Sequence, residues 1–124
     1  MIIKKNNKRF CAGLALALLI VSQANVIAKA KANPNFTEDV AQIVFNNCME
    51  CHRSGQAAPF ALTNYKNVKK RAKLIVDVTE SRYMPPWHPV EGHGKFLDER
   101  RLTVDELATL KNWYKSGMAE GPAD

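Results

Sequence analysis

The sequence predicts an all-α fold: three helices separated by two long loops. Three observations carry that expectation. Apolar residues recur at helical spacing in three stretches, 33–47, 65–80 and 102–116. No stretch is rich in strand formers. Between the first two helical stretches lies Cys48-Met49-Glu50-Cys51-His52, which puts two thiols and an imidazole at positions i, i+3 and i+4. In a turn of helix those positions share one face.

That spacing is the C-x-x-C-H attachment signature of a c-type haem. Two thiols must add to the vinyl groups along one porphyrin edge while an imidazole reaches the iron. Cys48 and Cys51 are the expected thioether residues, and His52 the proximal iron ligand. Three other readings compete. A redox dithiol calls for a thioredoxin-like βαβ context, which this chain lacks. Structural zinc needs a fourth ligand, and only His88 and His93 are available. The two cysteines also suffice for a plain disulfide.

Residues 1–32 read as a secretory signal peptide. Lys4, Lys5, Lys8 and Arg9 precede an uncharged run from Phe10 to Val21, and small-residue patterns follow at Ala28-Lys29-Ala30 and Ala30-Lys31-Ala32. Cleavage is expected near Ala30 or Ala32. The alternative is an uncleaved membrane anchor, but the run of 12 residues is short against the roughly 20 that a span needs. Cys11 lacks the small-residue context of a lipoprotein cysteine and falls within the leader.

The formal charge of +6 belongs to that leader. Six of the 18 basic residues and none of the 12 acidic ones precede residue 33. Residues 33–124 carry no net charge, so the high pI is no sign of nucleic-acid binding. They form one expected domain with a modest core, to which a covalent porphyrin would add a large apolar surface. Export fits haem attachment, which takes place outside the cytoplasm.

The first helix is expected over Asn33 to Asn47. Thr37 is its expected N-cap, with Glu38 and Asp39 in the first turn. Val40, Ile43 and Val44 form an apolar stripe, and Ala41 and Phe45 adjoin it. Arg53 to Asn64 reads as loop, with a turn at Ser54-Gly55. A metal-bound histidine usually donates its second ring N–H to a carbonyl or carboxylate. The carbonyl of Pro59 is the expected acceptor for His52, against the alternative of an ordinary loop proline.

Tyr65 to Glu80 is the second helix, capped by Thr63 or Asn64. Val68, Ala72, Ile75 and Thr79 follow one face, flanked by Leu74, Val76 and Val78. Lys66, Lys69, Lys70, Arg71 and Lys73 crowd the other side. Such a run is ordinarily a solvated face, with docking of an acidic redox partner as the alternative.

Ser81 to Arg101 holds three prolines and two glycines, which exclude a continuous helix. A loop of some 20 residues in so small a domain needs a task, and wrapping a cofactor is one. Met84 is the candidate distal ligand: thioether opposite imidazole raises the haem potential in electron-transfer cytochromes. Pro85 and Pro86 would stiffen the backbone at Met84. Trp87 is a candidate for packing on the haem or donating to a propionate. His88 and His93 are rival distal ligands, and an open sixth site is a third possibility. Leu102 to Ser116 is the last helix. Thr103-Val104-Asp105-Glu106 matches a capping box, Leu107, Leu110 and Tyr114 share a face beside Trp113, and Gly117 follows as C′. The tail from Ala119 is expected to fray.

These residues resemble class I c-type cytochromes. Ala41-x-x-x-Phe45 and Leu110-x-x-Trp113 resemble the family's pattern on its crossing first and last helices, and Cys48, Cys51, His52 and Met84 fall in the family's order. Ala58-Pro59-Phe60, Tyr83-Met84-Pro85-Pro86-Trp87 and Phe96-Leu97-Asp98-Glu99-Arg100 resemble a bacterial subgroup, often found beside redoxin-like or copper monooxygenase-like domains. The histidine in Gly92-His93-Gly94-Lys95 departs from that pattern and keeps histidine ligation open. The resemblance spans nearly all of residues 36–122. It implies a cytochrome c-like fold around one covalent haem c, and a periplasmic monomer that carries one electron between a donor and an acceptor protein. It implies neither catalysis nor a stable membrane span after cleavage. Two alternatives stand beside it: a haem-based gas sensor or small haem enzyme with a labile sixth site, and a fixed subunit through which electrons enter a larger oxidoreductase.

Overall fold

A computed structural model describes residues 30–86, 89–90 and 92–122. Trp87, His88 and all of the expected leader before Ala30, Cys11 included, lie outside the described residues. Among the described residues the chain is helical and contains no strand. A π-helical turn, Phe36–Val40, runs into α1 (Ala41–Asn47). Then come α2 (Tyr65–Lys70), α3 (Ala72–Glu80) and α4 (Val104–Lys115).

The first helix begins at Phe36, within the expected range, but its cap lies earlier than expected. Asn35, not Thr37, is the N-cap. Its backbone is extended, and its side-chain oxygen accepts from the Glu38 N–H at 2.8 Å. Thr37 instead donates its hydroxyl to the Glu120 carbonyl at 2.9 Å. The wide first turn brings Phe36 into the core, where its ring meets Phe45, Tyr65 and Trp113 at centroid distances of 6.1, 5.5 and 6.1 Å. Val40, Ile43 and Val44 are buried, as their stripe predicts, and Ala41 and Phe45 pack beside them.

The second helix is two. Arg71 (φ −112°, ψ 5°) interrupts it, and Asn64 caps α2 by accepting from the Asn67 N–H at 2.9 Å. The apolar face survives the break: Val68, Ala72, Ile75 and Thr79 are all buried. The Thr79 hydroxyl is satisfied by the Ile75 carbonyl at 2.7 Å, so its burial leaves no orphaned donor. Helix α4 starts at the expected capping box, with Thr103 and Glu106 bonded reciprocally. Leu110 and Trp113 are its buried residues, while Leu107 and Tyr114 are half-buried.

The tail is not frayed at its start. Ala119 accepts from the Phe36 N–H at 2.9 Å and from Trp113 Nε1 at 2.8 Å. Glu120 accepts from the Thr37 N–H at 2.9 Å, and the Tyr65 hydroxyl donates to the Met118 carbonyl at 2.9 Å. These bonds satisfy the otherwise unpaired first N–H groups of the π-helical turn. They also strap it to the end of α4. Between the two expected cleavage points, Lys31 pairs with Asp39 at 2.8 Å and its carbonyl accepts from Asn112 at 2.9 Å.

Candidate functional site

The C-x-x-C-H segment is a tight turn at the end of α1. The Cys51 and His52 N–H groups donate back to the Cys48 carbonyl at 3.2 and 2.9 Å. That turn gathers Cys48, Cys51 and His52 on the wall of one cavity of about 420 Å³. The loop residues Ala57 to Phe60, Leu62, and Leu74, Ile75, Val78 and Thr79 of α3 line it further. Tyr83, Met84, Pro85 and Pro86 close another side. The lining is overwhelmingly apolar, so it suits a hydrophobic ligand rather than a charged one.

Both cysteines are free thiols. Burial pushes the Cys48 thiol up to about 11, and the neighbouring Cys51 and Glu106 add to the effect. At neutral pH Cys48 is therefore held as the protonated thiol. His52 Nδ1 lies 3.0 Å from the Phe60 carbonyl oxygen. With Nδ1–H donating to that carbonyl, Nε2 keeps its lone pair for a metal. The acceptor is the carbonyl one residue beyond Pro59, because the loop also seats the Phe60 ring on the imidazole, with centroids 4.6 Å apart. Pro59 is exposed and lines the cavity.

Met84 is half-buried on the cavity wall. Its N–H donates to the Val78 carbonyl at 3.0 Å. That bond ties the loop to the end of α3. The Met84–Pro85 peptide is cis. His93 is exposed on the far loop and does not line the cavity. Of the rival distal ligands within the described residues, Met84 lines the cavity that His52 lines, and His93 does not.

The lysines of the α2–α3 face, Lys66, Lys69, Lys70 and Lys73, are exposed. Lys73 pairs with Asp77 at 2.7 Å and Lys69 with the Tyr65 hydroxyl at 2.8 Å. Arg71 departs from them: it is half-buried, with its guanidinium 4.0 Å above the Phe60 ring.

Arg100 has no role that its sequence position suggests. It lies 49 residues beyond Cys51, yet its Nη1 stands 3.9 Å from Cys51 Sγ and its Nη2 pairs with Glu50. It also lines the cavity. Its traces in the sequence are the Phe96-Leu97-Asp98-Glu99-Arg100 stretch that it ends and its place shortly before the capping box of α4. Neighbouring arginines hold the same loop: Arg101 pairs with Glu99 at 2.6 Å and donates to the Pro89 carbonyl, and Arg82 donates to the Leu102 carbonyl at 2.8 Å.

The donor set fits a covalently held porphyrin: two free thiols and one imidazole with a free Nε2 on one wall, a thioether on the same cavity, and an apolar lining between them. No family model, curated protein or solved structure matches the chain.

Proposed function

We propose that the chain is an exported monohaem c-type cytochrome that carries single electrons between periplasmic redox proteins. The observation that carries this reading is the shared cavity of Cys48, Cys51, His52 and Met84. Bound there, haem c supplies iron that cycles between the ferric and ferrous states. The protein's part is to hold it. Cys48 and Cys51 would anchor the porphyrin edge, and His52 Nε2 and Met84 Sδ would be the protein's donors to the iron. The Phe60 carbonyl fixes the imidazole tautomer. The apolar walls keep water from the ring and so favour the less charged ferrous state.

Met84 on the cavity favours electron carriage over the sensor or enzyme reading, because a thioether bound to the iron would take the place that a gas or substrate needs. The cytochrome c-like fold is part of the same proposal: the strap between Phe36 and the end of α4 supports it. Among the described residues no helix is long and apolar enough to cross a membrane. The test is the visible spectrum of the exported protein, oxidised and reduced, with and without carbon monoxide. A low-spin c-type spectrum with a weak far-red sulfur–iron band and no carbon monoxide response is expected. A high-spin spectrum or rapid carbon monoxide binding would move the assignment to a sensor or enzyme.

A further inference from the structure

We infer that Arg100, with Glu50 as its counter-charge, sets the electric field at the thioether edge of the site and holds the reduction potential up. The inference rests on the haem reading and deepens it. Three observations place the guanidinium there. It lines the apolar cavity, its Nη1 reaches Cys51 Sγ at 3.9 Å, and its side chain is 23% exposed. Glu50, drawn from the variable part of the C-x-x-C-H motif itself, is 61% exposed. The cation thus faces the apolar interior while its carboxylate partner faces water. Water screens the carboxylate more than the guanidinium, so the pair presents a net positive end to whatever Cys51 anchors. A positive charge beside a redox centre disfavours the more positive, ferric state. Nothing else in the described lining of this cavity is cationic.

The pair also ties the loop before α4 onto the haem-attachment turn. A tie alone would leave the potential indifferent to the sign of the charge, and this separates the two roles. The experiment is redox titration of the haem-loaded protein at low ionic strength, with covalent haem counted first by its pyridine haemochrome. Arg100→Gln should shift the reduction equilibrium toward ferric iron by about threefold to tenfold, that is by up to about 59 mV downward. Arg100→Lys, which keeps the charge, should stay near wild type. Glu50→Gln, at an exposed position, should move the potential upward by a smaller amount, and added salt should shrink both shifts. The ligation spectrum should be unchanged in all three. Equal potentials in wild type and Arg100→Gln, or a fall in Glu50→Gln, overturn the inference. So does an equal fall in Arg100→Lys and Arg100→Gln. Should Arg100→Gln fail to accumulate, the sign of the Glu50→Gln shift decides. A wild-type protein without covalent haem overturns the haem reading itself, and this inference with it.

Discussion

His52 Nδ1 and the Phe60 carbonyl oxygen stand 3.0 Å apart, and the two rings lie 4.6 Å centre to centre. One loop residue therefore supplies both a hydrogen-bond acceptor and a hydrophobic plate to the imidazole. The protein's own loop thus fixes the orientation of His52. On the proposed haem reading, a ligand fixed in this way would need little reorganisation when the charge on its metal changes.

The covalent anchor is the first thing to test. Replacing both thiols, in Cys48→Ser/Cys51→Ser, should leave a chain that carries no haem resistant to acid-acetone extraction. Haem that survives extraction from this double variant would refute the attachment reading of the motif.

Met84→Ala should open the sixth position. The far-red sulfur–iron band should vanish, and the reduced protein should bind carbon monoxide where wild type does not. A variant with the wild-type band and no carbon monoxide response would assign the distal ligand to another residue.

The cavity predicts how the chain behaves without its ligand. An apolar space of about 420 Å³ lies between α3 and the loops. Without haem its walls lose their partner atoms and meet water. Chain made without haem-attachment machinery should be largely unfolded by circular dichroism. A cooperative thermal transition in that material would contradict the expectation.

The strap between the tail and the first helical turn should be sensitive at Gly121. Its φ is +95°, and a Cβ there would come within 2.5 Å of Asn35 Oδ1, the N-cap oxygen. Gly121→Ala should cost about 1–3 kcal/mol, read as a fall in Tm of the haem-loaded protein. In the same region, Trp113→Phe removes the bond from Nε1 to the Ala119 carbonyl and should cost about 1 kcal/mol. Trp113→Ala also empties a fully buried site and should cost about 3–5 kcal/mol. An unchanged Tm in Gly121→Ala would show that the tail yields without strain, and equal losses in the two Trp113 variants would show that the strap bond, not the packing, carries the cost.

Much of this was legible in the order of residues. Helical class follows from apolar spacing, and Val68, Ala72, Ile75 and Thr79 are buried as their period requires. The capping box at Thr103 is local chemistry and stands where it was expected. The grouping of Cys48, Cys51 and His52 is local too, since a single turn brings i, i+3 and i+4 together. Asn35 capping ahead of Thr37 is the instructive exception: both are good caps, and the choice fell to long-range bonds from Glu120 that claim the Thr37 N–H and hydroxyl.

What only the tertiary structure decided are contacts between residues far apart in the chain. The break at Arg71 is one. No glycine or proline marks it, and the guanidinium there stacks on Phe60, which in turn steadies His52. Arg100 is another, reaching Cys51 and Glu50 across about fifty residues. Met84 lines the same cavity as His52, and His93 does not: the Val78 carbonyl holds the start of that loop against α3. Periodicity and caps are written over a few residues, so the sequence by itself determined the helical class and the turn that groups Cys48, Cys51 and His52. Which distant side chains meet depends on how the helices pack and where the loops are tied, and that is a property of the whole chain.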